Sequence, residues 1–236
     1  MSKLLFWLEI SALVIVASAG ITMISIAQIS DKKANKIETI VLDDNHMVVL
    51  RGEVNDSSVR EAGKELMMKS KFIAKTDRLY LVLDTPGGHL DAGTRLIEIA
   101  KGLPQKVDTV ILEASSMGFY IAQALDERLI TRYGQMFQHL GYMGAPQGRP
   151  DLVTSYVTFV GRQFEILHQI SAKRMGISLQ AFMALIQKDY WLQGQDAVDQ
   201  HAADRVVDVR CADSMPYEQC PLLPQSNATI PFQVGP

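Results

Sequence analysis

The seven residues "RLYLVLD", 78 to 84, constrain this chain more than any other stretch. Leu79 to Leu83 are apolar without a break. A strand that meets solvent on one face alternates apolar and polar residues, whereas an unbroken run suits a strand covered on both faces. Such strands belong to parallel sheets, and parallel neighbours need crossovers, usually helices. The flanking sequence supplies them. "HMVVLRGEV" reads as a strand, and "DSSVREAGKELMMKSKF" as a helix with Val59, Ala62, Leu66 and Met67 at helical spacing behind N-caps at 56–58. After the apolar strand come a helix over "LDAGTRLIEIAKGL", a strand over "VDTVILEA" and a helix over "SMGFYIAQALDE". "RLITRYGQMFQHL" is expected to hold two short strands about a turn. The alternation predicts an α/β layered fold with a parallel sheet and right-handed crossovers.

Beyond Pro150 the period changes. Val153, Val157, Val160, Phe164 and Leu167 form an apolar stripe on a long helix, and "SLQAFMALIQKD" makes a second helix. The stripe predicts cover by another subunit or by the rest of the chain. Residues 211–236 are proline-rich and read as an extended tail. Ahead of the fold, Ile10 to Ser30 carry no charge. As a helix this run would span about 32 Å, enough for a bilayer core. It is read as a transmembrane anchor over 1–30, with a cleaved signal peptide ending near "ASA" as the alternative. A linker over 31–45 with room for one short strand, a catalytic domain over 46–210 and the tail complete the expected organisation.

The formal net charge of −3 gives no electrostatic footprint for nucleic acid. Cys211 and Cys220 match no zinc pattern, and no metal or other cofactor is expected. The two cysteines flank "ADSMPYEQ", whose proline helps the chain turn back, so a disulfide that pins the tail is expected. Disulfides persist in oxidising compartments. With the hydrophobic segment, this points to a membrane-anchored, extracytoplasmic domain. Lysines 32, 33 and 36 favour the cytoplasmic face instead.

Strand ends are where open α/β sheets collect ligands. Pro86-Gly87-Gly88 stands at one such end and Ser115-Ser116 at another. The glycines suit either a plain tight turn or a place where a reacting atom meets bare N–H groups. Ser116 suits either a helix N-cap or a nucleophile. A nucleophile needs a base, and no lysine occurs between Ser116 and Lys173, which argues against a Ser/Lys pair. Among the histidines, His139 ends a strand, His89 follows the glycine turn within reach, and His168 lies inside the long helix.

Taken together, "LDTPGG", "EASSMGFYIAQAL", "GQMFQHLGYMG" and "KDYWLQGQDAVDQHAADRVVD" resemble, in order, four motifs of the ClpP class of serine proteases, which shares its fold with the crotonases. The resemblance runs from about His46 to Asp208. It implies the repeated ββα spiral of that superfamily, behind an N-terminal hydrophobic helix. It implies Ser116 as nucleophile, His139 as general base and Asp189 as the carboxylate that orients the imidazole. It places an oxyanion hole at the N–H groups of Gly87 and Met117, with Gly88 admitting the substrate strand. The long helix is similar to the family's handle helix and implies a homo-oligomer. Asp84-Thr85 replaces the frequent Asn-Ser and, with the hydrophobic segment, is similar to the membrane-bound NfeD-type and signal peptide peptidase A branches. No Walker A pattern occurs, so no ATPase is expected in the chain. A hydrophobic segment in place of axial loops argues against docking to an ATP-driven unfoldase. The expected activity is hydrolysis of peptides or unfolded segments. The alternatives are a crotonase-type acyl-thioester enzyme and an inactive scaffold of the same fold.

Overall fold

The computed structural model describes residues 37–141 and 147–223. Within them, six parallel strands form the order β1-β7-β5-β4-β3-β2, from Glu38–Leu42 (β1), Met47–Arg51 (β2), Arg78–Thr85 (β3), Lys106–Ser115 (β4), Arg128–Gln138 (β5) and Arg205–Cys211 (β7). The apolar run of β3 lies second from one edge, between β2 and β4. A short strand, Tyr190–Gln193 (β6), pairs antiparallel with the last residues of β5. Helices Asp56–Lys69 (α1), Leu90–Lys101 (α2), Met117–Ala124 (α3), Pro150–Met175 (α4), Leu179–Ile186 (α5) and Gln195–Asp199 (α6) complete the fold.

The helices bury their apolar faces against one side of the sheet in a cluster that includes Leu66, Leu83, Leu96, Phe119 and Phe182. The reverse side carries a smaller cluster in which Ile40 and Leu42 of one edge strand join Met47 of the other, with Val82, Val110 and Leu129 between them. Strands β1 and β2 stand at opposite edges yet are joined by residues 43–46 alone, too short a link to cross six flat strands, so the sheet curls. The curl covers the second face of β3 that helices leave bare.

Residues 38–42, within the segment read as linker, form the edge strand β1. The two short strands expected over 128–140 are one strand of 11 residues. Its register against β4 jumps from Ile111↔Ile130 to Glu113↔Gln135, so a bend replaces the expected turn. Gly134 permits this bend: a Cβ there would lie 2.4 Å from Ile111 O. Before the bend β5 pairs with β7, and after it with β6. Arg128, almost fully buried, anchors the start of β5 through Asp204, Gln123 Oε1 and His201 O.

Past β7, Cys211 is bonded to Cys220. Arg51 then donates to Pro221 O and, at 2.6 Å, to Asp84 Oδ2, which ties the start of the tail to the strand ends.

The membrane-anchored, extracytoplasmic placement is corrected. No helix among the described residues is long and apolar enough to cross a membrane. The longest, α4, has 26 residues but carries Asp151, Arg162, Glu165, Lys173 and Arg174. The hydrophobic run at 10–30, expected as a helix, lies outside the described residues.

Candidate active site

Ser116 joins the carboxyl end of β4 to α3. Helix α3 is buried along its whole length, so the junction is pressed into the core and has no room to relax. Ser116 holds φ 52° and ψ −111°, a region that costs a non-glycine residue about 1–3 kcal/mol. Its N–H donates to Phe137 O at 2.8 Å. Its carbonyl accepts from Phe119 N at 3.1 Å and from Gln138 Nε2 at 3.3 Å. In this conformation Ser116 makes no side-chain cap bond to its helix, so its hydroxyl is not spent on capping. Instead Oγ lies 2.9 Å from His139 Nε2.

His139 follows the last residue of β5. Its N–H donates to Gln138 Oε1 at 2.9 Å. The fully buried Gln138 amide thus holds the backbone of both partners, Ser116 through its nitrogen and His139 through its oxygen. The imidazole lies parallel to the Phe137 ring, with centroids 5.2 Å apart and planes 5° apart.

The β5–β6 ladder pairs Phe137 with Trp191 and Gln138 with Tyr190. One step further along the same register, Asp189 stands opposite His139. Asp189 has φ 54° and an exposed side chain. The structure therefore brings Ser116 and His139 into bonding contact, with Asp189 immediately before β6, the strand that pairs with the end of β5.

Gly87 answers for the glycine turn. Its φ is 96°, and a Cβ would lie 2.6 Å from both Ser115 O and Ser116 Cβ, and 2.9 Å from Met117 N. The turn is packed against the backbone of the Ser116 junction, closer than any side chain allows. It is stitched to the chain after β2, with Val54 N donating to Gly87 O at 2.8 Å and His89 N to Val54 O at 2.7 Å. The Gly87 N–H itself donates to Thr85 Oγ1 at 3.0 Å, and Thr85 Oγ1 donates to Gly52 O at 2.6 Å. Of the two donors named from sequence, the one on Gly87 is thus already engaged. Met117, buried at the first position of α3, has an N–H among those that no preceding helical carbonyl can take. Gly88 lines the cleft beside Ser116.

Ser116 and His139 open into a cleft of about 820 Å³ between the start of α2 and the first half of α4. His89 and Arg95 line one wall, Tyr156 and Phe159 the other. The His89 side chain is exposed, 3.8 Å from Glu53 Oε1. His168 lies instead in a cage of Tyr120, Phe164 and Phe182, and burial pushes its imidazole below the usual value. Beneath the cleft a row of facing residues crosses the sheet: Arg51, Asp84, Glu113, Gln135 and Gln193. Burial, with the charge of Asp84 adding to it, raises the Glu113 carboxyl above the usual range, against the hydrogen bond from Ser115.

Sequence reasoning missed Gln138 and the bonding role of Thr85. Gln138 had a signal, since a polar residue sits on the core-facing side of an alternating strand. Thr85 had none, because its acceptor, Gly52 O, comes from another strand end.

Fold and site together define an α/β protein with a serine–histidine pair at the carboxyl edge of a curled parallel sheet. The family model for Clp protease matches residues 29–210. Similar proteins include the ATP-dependent Clp protease proteolytic subunit of Streptococcus sanguinis, 24% identical over 70% of this chain and 85% of that protein. That of Borreliella afzelii is 22% identical over 68% and 82%. Proteolytic subunit 1 of Leifsonia xyli is 25% identical over 69% and 83%. The chain belongs to the Clp protease family.

Proposed function

We propose that this chain is a serine peptidase that hydrolyses peptide bonds in peptides or unfolded segments, with Ser116 as nucleophile and His139 as general base. The observation that carries this reading is the 2.9 Å contact of Ser116 Oγ with His139 Nε2, made by a serine withheld from its helix cap. The Nε2 lone pair takes the hydroxyl proton as Oγ attacks the scissile carbonyl, and the imidazolium returns that proton to the leaving amine. The developing oxyanion takes the Met117 N–H and shares the Gly87 N–H with Thr85 Oγ1. Asp189 orients the imidazole and stabilises its charged form. A water molecule, deprotonated in turn by His139, then attacks the acyl group on Ser116 Oγ and releases it as the carboxylate, so the cycle consumes water and no ATP.

The same reading includes self-association. Leu152, Tyr156, Phe159 and Ile166 of α4 are large apolar side chains left exposed beside the cleft, and a second copy would cover them. The relatives are named proteolytic subunits, which accords with assembly.

The test compares an internally quenched peptide with an acyl-CoA thioester, for the parent chain and Ser116→Ala. Peptide hydrolysis that falls at least about 10³-fold in the variant is expected. Thioester turnover that survives the substitution, or no turnover of either substrate, would overturn the reading.

A further inference from the structure

The tail and the glycine turn meet at one arginine. Arg51 ends β2 and stands in register with Asp84, near the end of β3. Its Nε donates to Asp84 Oδ2 at 2.6 Å, and its Nη2 donates to Pro221 O. One guanidinium thus serves two partners with two different nitrogens, a task that suits arginine's planar fork. On one side lies the glycine turn. Gly52 N donates to Asp84 O at 2.9 Å, Thr85 Oγ1 to Gly52 O at 2.6 Å, Gly87 N to Thr85 Oγ1 at 3.0 Å and Val54 N to Gly87 O at 2.8 Å. Residues 51–54 therefore carry the turn, and Gly87 presses on the Ser116 junction. On the other side lies the disulfide. Pro221 is buried and directly follows Cys220, which is bonded to Cys211 at the end of β7. Among the described residues, the hydrogen bonds of residues 213–223 stay within 212–223, except the one that Pro221 O accepts from Arg51.

We propose that Arg51 is a positioning residue that holds the Gly87 turn through Asp84, and that the Cys211–Cys220 disulfide locks Arg51 through Pro221, so that a dithiol reductant loosens the turn and lowers turnover. This rests on the peptidase reading above, in which the turn supplies an oxyanion donor. The dithiol attacks one sulfur of the bond, a mixed disulfide forms, and the second thiol resolves it. Two electrons pass to the cysteines, each sulfur takes a proton, and the reductant leaves as its own disulfide. Opening the loop returns conformational freedom to the chain around Cys220, and a single hydrogen bond to Pro221 O does not offset it. Asp84 faces Arg51 on one side and Glu113 on the other. Once the guanidinium leaves, Asp84 stands beside a second carboxyl group, and like charges at facing positions repel. The strand end then shifts, and the turn that begins two residues later shifts with it.

The experiment uses the full chain, first with its disulfide closed and then reduced by dithiothreitol. Hydrolysis of an internally quenched peptide should lose about fivefold in kcat on reduction, with KM unchanged, a fraction of what outright loss of a donor costs. Cys211→Ser combined with Cys220→Ser should match the reduced parent and ignore the reagent. Arg51→Met should match it too, with the disulfide closed or open, because the lock then has nothing to hold. A parent with the same kcat in both states, or an Arg51→Met chain that still responds to reduction, would overturn the proposal. A second measurement needs no activity and reads the native state alone. In Ser116→Ala, the backbone amide signals of Gly87 and Val54 should shift on reduction, and again when Arg51→Met is added to the oxidised chain. The signal of Gly176, at the C-cap of α4, should stay in place. An unmoved Gly87 signal, or an equal shift at Gly176, overturns the proposal. If Gly87 moves while the parent chain turns over no peptide in either state, the peptidase reading fails, and the coupling of tail to turn stands.

Discussion

A serine at the head of a helix can cap it or be withheld from it, and Ser116 is withheld. The strained φ of 52° is held by bonds to Phe137, Phe119 and Gln138, so the cost is met by the junction and the hydroxyl is left for His139. Gly87 presses against that junction from the next strand end, and its replacement is the sharpest test at this scale. Gly87→Ala places a methyl group 2.6 Å from two backbone-fixed atoms, so it should lower peptide hydrolysis at least about 10²-fold by displacing an oxyanion donor. Gly176→Ala is the control. Its φ is also positive, at 69°, but a Cβ there meets nothing within 4 Å; it should cost about 1 kcal/mol of stability and leave turnover intact. Urea melts and peptide kinetics on both variants separate the two effects. Ser116, His139 and the glycine turn each lie in a short contiguous motif at a strand end, and the structure places them side by side. Gln138 carried a signal as a polar residue on the core-facing side of its strand, whereas the bond from Thr85 to Gly52 O joins strand ends that meet only in the folded sheet.

At the scale of elements, α4 shows what periodicity can and cannot tell. The stripe from Val153 to Leu167 marks a face, and Val160 and Leu167 are indeed buried. Val157, on the same stripe, is 40% exposed. Which part of a face finds cover depends on where neighbouring elements end, and spacing carries no such information. β5 teaches the same lesson: "RLITRYGQMFQHL" shows its two apolar segments, but only the packing of Gly134 against Ile111 O makes them one bent strand. His168 is buried on α4 as an uncharged ring with no partner for Nε2 among the described residues, and burial lowers its proton affinity. The folded state therefore binds fewer protons than the unfolded chain once pH drops below the ordinary imidazole value of about 6.5. The stability it contributes is complete above that value and is lost as pH falls toward the depressed one. Thermal melts between pH 7 and 5 should show this loss in the parent, and His168→Phe should flatten it while peptide hydrolysis at neutral pH persists. A parent and variant with the same pH dependence would contradict the assignment.

At the scale of the whole molecule, the curl of the sheet brings both edge strands to one apolar cluster and carries the tail back to the strand ends. The loop closed by Cys211 and Cys220 should contribute about 2–3 kcal/mol in the chain-entropy model, so reduction should lower the urea midpoint, and alkylation of either thiol should require prior reduction. The exposed aromatics of α4, Tyr156 and Phe159, form one wall of the cleft. Replacing Tyr156 and Phe159 together by lysine should convert an oligomer to a monomer in light scattering, and an unchanged mass would contradict a contact there. The alternation of strands and helices and the parallel sheet were legible in the sequence, since local pattern and crossover rules point the same way. The curl was not, because it arises from twist summed over six strands. The proposed function rests on the serine–histidine pair. The most direct test of that pair is fluorophosphonate labelling of the intact chain followed by mass spectrometry. The account predicts one adduct, on Ser116, formed at least about 10²-fold more slowly in His139→Ala. Absence of an adduct at Ser116, or parent-rate labelling in His139→Ala, would contradict it.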